Sequence, residues 1–140
     1  MDKTILVIGT FDTKQDELGY LIDKIREQGG NVLTMDVSVL GDTDQPIDIS
    51  KHDVVAAAGE TIESLIALGE EGEAFEKMSV GAATTALQLH QDGKFDGMIV
   101  LGGTMGTDLA LDCAQALPIG VPKYIVSTVA GSPLIAADRM

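Results

Sequence analysis

The amino-terminal part of the chain alternates an apolar run, a helical pattern and a second apolar run. Thr4 to Ile8 is a continuous run of β-branched and aliphatic residues that ends at Gly9, which is typical of a strand buried on both faces. One apolar helix face follows, formed by Leu18, Leu21, Ile22 and Ile25. Gly29 and Gly30 end this helix, and Asn31 to Val37 has the composition of a second strand. A strand, helix and strand within ~30 residues require parallel pairing and a right-handed crossover.

The rest of the chain continues this alternation. Residues 38–49 are polar, which predicts a surface excursion, and Ser50 is placed to cap a short helix. A helix, a strand, a helix and a strand are then predicted over Glu73 to Gln91, Phe95 to Leu101, Thr107 to Leu117 and Lys123 to Val126. Gly81 falls inside the first of these helices, where glycine costs about 1 kcal/mol relative to alanine, so close packing or a ligand is expected there. The predicted class is α/β, a Rossmann-like open parallel sheet of about four or five strands with helices on both faces, formed by residues 1–140 as a single lobe.

Composition excludes several classes of partner. The formal net charge is −13 with 9 Lys and Arg residues, whereas nucleic acids and anionic membranes are bound by clustered basic side chains. No stretch approaches the ~20 apolar residues of a membrane span, and the initial apolar run is too short for a signal peptide. The single cysteine, Cys113, has no disulfide partner and is predicted to be a small core residue. We therefore expect a cytoplasmic protein that contacts neither nucleic acid nor membrane.

Glycine and hydroxyl residues follow the predicted strands. Ligands of open parallel sheets bind beyond the carboxyl ends of the strands, where backbone amides, hydroxyl groups and helix starts suit phosphate. The strongest candidate is the loop that contains Gly102, Gly103, Thr104, Gly106 and Thr107, with Ser127 and Thr128 at the end of the last strand. The loop is neither a P-loop nor a G-x-G-x-x-G fingerprint, and a tight turn with Thr107 as the helix N-cap is an equal alternative.

The ends of the first two strands allow two interpretations each. Thr13 and Asp16 match a capping box, but the same loop offers Lys14 for a phosphate and Asp12 for Mg²⁺ or a sugar hydroxyl, beside Gly9 and Thr10. Asp36 ends the second strand, either as a partner of ribose hydroxyls or as a turn-forming aspartate.

No metal site or catalytic triad is predicted. His52 and His90 have no cysteine or histidine at metal-ligand spacing, so both are interpreted as surface or core residues. The chain also contains no G-x-S-x-G nucleophile motif.

Four blocks of sequence resemble one known family. They are IGTFDTKQDE at 8–17, DISKHDVVAAAG at 48–59, LGGTMGTDLA at 101–110 and ALPIGVPKYIVSTVAGS at 116–132. In these blocks the chain is similar to the ATP-binding family named for the tomato mosaic virus resistance protein, which includes many bacterial members. The resemblance implies a longer protein of about two Rossmann-like lobes, of which this chain is the first and a missing C-terminal lobe completes the ligand cleft. It also implies ATP or a related nucleotide as the ligand, and we expect Mg²⁺ to accompany the ATP.

The chain departs from the family pattern at two places. Thr104 and Met105 stand where the family is expected to have serine followed by glycine, and Ala130, Gly131 and Ser132 replace Ala-Ser-Gly. Thr104 keeps the hydroxyl group, whereas Met105 narrows the space for a phosphate.

The leading hypothesis is a nucleotide-binding lobe with a small phosphorylated ligand. Its phosphates would lie on the loop of residues 102–107, with Thr10, Thr13 and Lys14 opposite and Ser127 and Thr128 closing the site. Two alternatives stay open: an enzyme acting on a small phosphorylated or carboxylated metabolite through Asp12 or Asp36, and a dimerising protein-interaction module. A homo-oligomer is expected.

Overall fold

A computed structural model describes residues 3–102 and 104–127, with residues 71 and 104–106 described only as members of their helices. The elements are, in chain order, β1 (Thr4–Gly9), α1 (Phe11–Glu27), β2 (Asn31–Asp36), α2 (Lys51–Ala56), α3 (Ile62–Ala67), α4 (Glu71–Gln91), β3 (Gly97–Gly102), α5 (Thr104–Ala116) and β4 (Lys123–Ser127). Consecutive strands are therefore separated by one or more helices, as the sequence predicts.

The described strands form one parallel sheet in the order β2-β1-β3-β4. β1 pairs with β2 from Thr4↔Asn31 to Gly9↔Asp36, and β3 pairs with β4 from Met98↔Lys123 to Gly102↔Ser127. The chain thus moves from β1 to one side and returns past it to β3 on the other side. The predicted α/β class, with a Rossmann-like parallel sheet between helices, is confirmed.

The two faces of the sheet are packed differently. On one, here called the covered face, Leu6, Ile8, Met98 and Val100 pack with buried side chains of α2, α3, α4 and α5 in the larger core cluster. On the other, here called the α1 face, Val7 packs with Phe11, Leu18 and Ile22 of α1. This division follows from the alternation of side chains along each strand and from the right-handed crossovers.

Close packing explains Gly81. A Cβ atom at this position would lie 2.2 Å from the backbone oxygen of Val54, so α4 and α2 touch through their backbones. Of the two explanations that the sequence left open, close packing is the one that the structure supports.

Two local expectations were wrong, and one helix was missed. α1 begins at Phe11, after an N-cap at Thr10, and Thr13 pairs its hydroxyl with that of Thr10 rather than capping a helix at Asp16. α5 begins at Thr104, so Thr107 lies inside the helix and is not its N-cap. α3 was not predicted, although Thr61 and Ser64 form a reciprocal capping box at its start. At α1, contacts from Asp36 and Ser38 decide where the helix begins.

Candidate functional site

The carboxyl ends of β1 and β3 lie side by side at the point where the strand order reverses. Chain connections leave β1 in one direction and enter β3 from the other, which opens a crevice between the two strand ends. Gly9, Asp36, Gly102 and Ser127 all end their strands at this edge of the sheet, as the sequence predicts. A ligand site is therefore expected at this edge of the sheet.

The start of α1 is capped by side chains from beyond β2. The buried Asp36 carboxylate accepts hydrogen bonds through Oδ1 from Phe11 N at 3.3 Å and from Ser38 N at 3.0 Å, and also from the Ser38 hydroxyl. Ser38 Oγ in turn accepts from Asp12 N at 3.1 Å. A negative charge at this end of a helix is stabilised by the helix dipole. Asp36 and Ser38 thus cap the first amides of α1, in place of a local capping box.

This cap leaves little room for an anion at α1. Thr13 N and Lys14 N both donate to the Thr10 backbone oxygen, at 3.1 and 2.8 Å, so the first four amides of the helix all have partners. A phosphate bound there would have to displace the Asp36 carboxylate. The geometry of Asp36 also agrees with the turn-forming alternative, because Oδ1 bonds to the backbone amide two residues on.

A cavity of about 340 Å³ lies beside this cap. Its lining combines the loops after β1 and β2 with α3 and the start of α4: Thr10, Asp12, Thr13, Ser38, Val39, Leu40, Leu65, Ile66, Gly69, Glu70, Ala74 and Phe75. The volume is within the usual range for small-molecule sites, and a mostly apolar wall with a few polar groups is their usual chemistry. Three predicted site residues, Thr10, Asp12 and Thr13, are brought together here.

The charge of the cavity is negative. Asp12 and Glu70 contribute carboxylates, and no lysine or arginine is among the lining residues. Lys14, predicted to face a phosphate, is not part of this wall. The cavity therefore suits a neutral or hydrogen-bond-donating part of a ligand, whereas a phosphate group would be repelled.

Lys51 is a buried charge that the sequence did not single out. Its side chain is 8% exposed, and Nζ donates to the Gly41 backbone oxygen at 2.6 Å and pairs with the Asp42 carboxylate at 2.9 Å. Gly41 N donates to Asp12 Oδ2 at 3.1 Å, so Lys51 holds the loop that contacts Asp12. The hydrogen bond from Lys51 also lowers the pKa of Asp42. Only its position, directly after the predicted N-cap Ser50, was available as a signal.

The loop after β3 is tied to β4 by hydroxyl groups. Thr107 is buried, and its Oγ1 donates to the Gly102 backbone oxygen at 3.4 Å and is hydrogen-bonded to Ser127 Oγ. These bonds hold the start of α5 against the ends of β3 and β4. Gly103 and Thr128 lie outside the described residues, and Thr104, Met105 and Gly106 are described only as the first turn of α5.

The remaining candidates take structural positions. His52 is exposed, and the ring of His90 lies tilted beside that of Phe95, with the ring centroids 6.0 Å apart. Cys113 is a core residue as predicted, and burial raises the pKa of its thiol to about 12. Over residues 3–102 and 104–127, no three His, Cys, Asp or Glu side chains are grouped to hold a metal ion. Within the same ranges, no helix has the length and apolar content needed to cross a bilayer.

Comparison with known proteins relates this fold to long bacterial chains. A UPF0261 protein of Brucella suis is 51% identical over 136 residues, which cover 97% of this chain and 32% of the relative. A UPF0261 protein of Clostridium tetani is 37% identical over 130 residues, covering 93% of this chain and 32% of the relative. The chain therefore spans about a third of the length of these relatives.

A plant protein is similar at lower identity. The ToMV resistance protein Tm-1(GCR237) of Solanum lycopersicum is 31% identical over 141 aligned positions, and the alignment covers 90% of this chain and 19% of the plant protein. Residues 3–136 match the family described as "Uncharacterised protein family (UPF0261) N-terminal domain". Because this match takes in nearly the whole chain, the protein belongs to the UPF0261 family.

Proposed function

We propose that this lobe binds a nucleotide such as ATP, with the base and ribose in the cavity beside α1 and the phosphates at the start of α5. The observation that carries the proposal is the ligand-sized cavity lined by the loops after β1 and β2, at the sheet edge where the crevice between the ends of β1 and β3 also opens. The apolar side chains of Leu65, Ala74 and Phe75 offer a surface for an aromatic base. The hydroxyl groups of Thr10 and Thr13 offer hydrogen bonds to a sugar.

The phosphate position follows from comparing the two helix starts at this edge. At α1 the amides are already bonded, two of them to Asp36 and Ser38, and the neighbouring wall carries Asp12 and Glu70. The loop of residues 102–107 retains the glycine and hydroxyl pattern that suits phosphate, and it opens a helix of 13 residues. We therefore favour an arrangement in which the phosphates lie on residues 102–107 and the nucleoside lies over the loop after β1.

A magnesium ion would fit as part of the nucleotide rather than as a resident metal. Mg²⁺ commonly uses one or two carboxylates together with phosphate oxygens and water. Asp12 supplies one such carboxylate in the cavity wall, half-buried and oriented by its hydrogen bond from Gly41 N. Bound Mg²⁺ would offset the negative charge of Asp12.

Calorimetry with ATP and Mg²⁺ tests the proposal in this chain and in the full-length Brucella suis relative. We expect saturable heat with ATP, and a weaker competing signal with adenosine. Absence of heat with ATP, ADP and AMP at millimolar concentration in both proteins would contradict nucleotide binding. If a sugar phosphate or an acyl phosphate raises the melting temperature while ATP does not, an enzyme acting on a small phosphorylated metabolite becomes the better interpretation.

A pair of tryptophan substitutions tests the position of the nucleoside. Ile66→Trp places a large ring in the cavity wall, whereas Leu68→Trp places the same ring two residues later, at a position that does not line the cavity. We expect Ile66→Trp to weaken ATP binding at least tenfold and Leu68→Trp to leave it unchanged. Since the protein has no other tryptophan, the fluorescence of each variant also reports whether the ring is in contact with ligand.

A further inference from the structure

The α1 face of the sheet is apolar beyond the edge of α1. On this face β3 and β4 present Ile99, Leu101, Tyr124 and Val126, which are paired across the two strands as Ile99↔Tyr124 and Leu101↔Val126. Tyr124 is 67% exposed and Val126 is 42% exposed. Ile99 and Leu101 of β3 are only partly buried. Parallel strands are normally covered on both faces, so apolar side chains left exposed on β4 and partly exposed on β3 mark a surface that is completed by another element.

A groove runs between α1 and these two strands. It has a volume of about 470 Å³ and is lined by Asp16, Glu17, Tyr20, Leu21, Leu101 and Val126. Tyr20, on the flank of α1, is 67% exposed. The floor is apolar, and two carboxylates stand on one rim. A helix or extended segment with an apolar face and basic residues along one side has the matching chemistry.

We propose that this groove seats the C-terminal region of the same polypeptide in full-length members of the family. The relatives extend to about three times the length matched here, so a large covalently linked segment is at hand to cover the surface. The groove is formed partly by β4, the last described strand, from which the chain continues. A tethered segment reaches such a site at a high effective concentration, without the loss of translational freedom that a separate partner suffers.

A second copy of the chain is the less suitable occupant. Each chain carries a formal charge of −13, and the groove adds Asp16 and Glu17 at its rim, so two copies repel each other as they approach. The groove shares no lining residue with the cavity beside α1. The proposal is therefore independent of what the cavity binds.

Cysteine labelling in a short and a long chain tests the proposal. Val126→Cys is made in the 140-residue chain and in a chimera in which the chain replaces the matched segment of the Brucella suis relative. Val80→Cys, 58% exposed on α4, is the matched control. Background labelling of Cys113 is low because its thiol is buried and its pKa is raised to about 12. Peptide mass spectrometry then gives the reaction rate with a maleimide at each position.

The expected result is that Val126→Cys reacts at least tenfold more slowly in the long chain, while Val80→Cys reacts at the same rate in both. Equal rates for Val126→Cys in the two folded proteins would overturn the proposal. Protection that is already present in the short chain and grows with protein concentration would also overturn it, in favour of a second copy. If the chimera does not fold, the same two substitutions at the aligned positions of the relative, full-length and truncated after the matched segment, give the same outcomes.

Discussion

The two faces of the sheet differ in how completely they are packed. On the covered face, α4 approaches α2 so closely that Gly81 meets the backbone oxygen of Val54, and the side chains of β3 are buried. On the α1 face, one helix lies mainly over β1 and β2, and Tyr124 of β4 is largely exposed. The covered face is closely packed, whereas the α1 face is closely packed only beneath α1. Substitutions should therefore have large effects on one face and small effects on the other.

The largest effect is expected at Gly81. Gly81→Ala places a Cβ atom 2.2 Å from a backbone oxygen, so α2 and α4 must separate and the free energy of unfolding should fall by about 3 kcal/mol. Gly72→Ala, in the same helix with no atom within 4 Å of the new Cβ, should instead raise it by about 0.5 kcal/mol through helix propensity. Urea denaturation measures both. Similar stabilities for the two variants would show that α2 and α4 are not in backbone contact.

A matched pair of valines compares the two faces directly. Val100, on the covered face, is buried, and Val126, on the α1 face, is 42% exposed. Val100→Ala should lower the free energy of unfolding by about 2 kcal/mol, since it removes buried methyl groups and leaves a cavity. Val126→Ala should change it by less than about 0.5 kcal/mol in the 140-residue chain. Equal losses in thermal or urea denaturation would mean that the α1 face of β4 is already covered.

The covered face was also the easier one to predict from sequence. Continuous apolar runs such as Thr4 to Ile8 identified the central strands, and the odd placement of Gly81 in a helix identified a close contact. These signals are local, because a strand that is buried on both faces needs an apolar side chain at nearly every position. The exposed β4 positions Tyr124 and Val126 have the same apolar character as buried ones. The sequence alone therefore does not distinguish a buried apolar residue from an exposed one.

The site was less predictable because its contacts join residues far apart in the chain. Thr13 and Asp16 match a capping box, yet the cap of α1 comes from Asp36 and Ser38. Lys51 likewise takes its role from Gly41 and Asp42, ten and nine positions earlier. Residue types at the strand ends therefore predicted the edge of the sheet at which the cavity beside α1 lies, and the pairing of those residues came only from the structure.

The stability of α1, which covers the α1 face, depends on the N-terminal cap that Ser38 completes. Ser38→Ala removes the acceptor for Asp12 N and one donor to the buried Asp36 carboxylate, so the free energy of unfolding should fall by about 1.5 kcal/mol. Ser50→Ala removes the local cap of α2 and should cost about 1 kcal/mol. Only the Ser38 variant should also weaken ATP binding in calorimetry, since Ser38 lines the cavity. Equal affinities in the two variants would remove Ser38 from the ligand site.

The smallest expected effect is a pH dependence that belongs to the covered face. Burial raises the pKa of the Cys113 thiol from 9.0 to about 12, so the folded protein keeps this proton over a pH range in which the unfolded chain loses it. The stabilising contribution is complete below pH 9 and is lost as the pH rises toward 12. From pH 8 to pH 10, the free energy of unfolding should therefore fall about 1 kcal/mol further in the natural protein than in Cys113→Ala. Urea denaturation of both proteins at the two pH values measures the difference. Contributions from all other titrating groups cancel in this difference because both proteins share those groups. Identical pH dependence would mean that water reaches Cys113 and that the covered face is less densely packed than its side chains indicate.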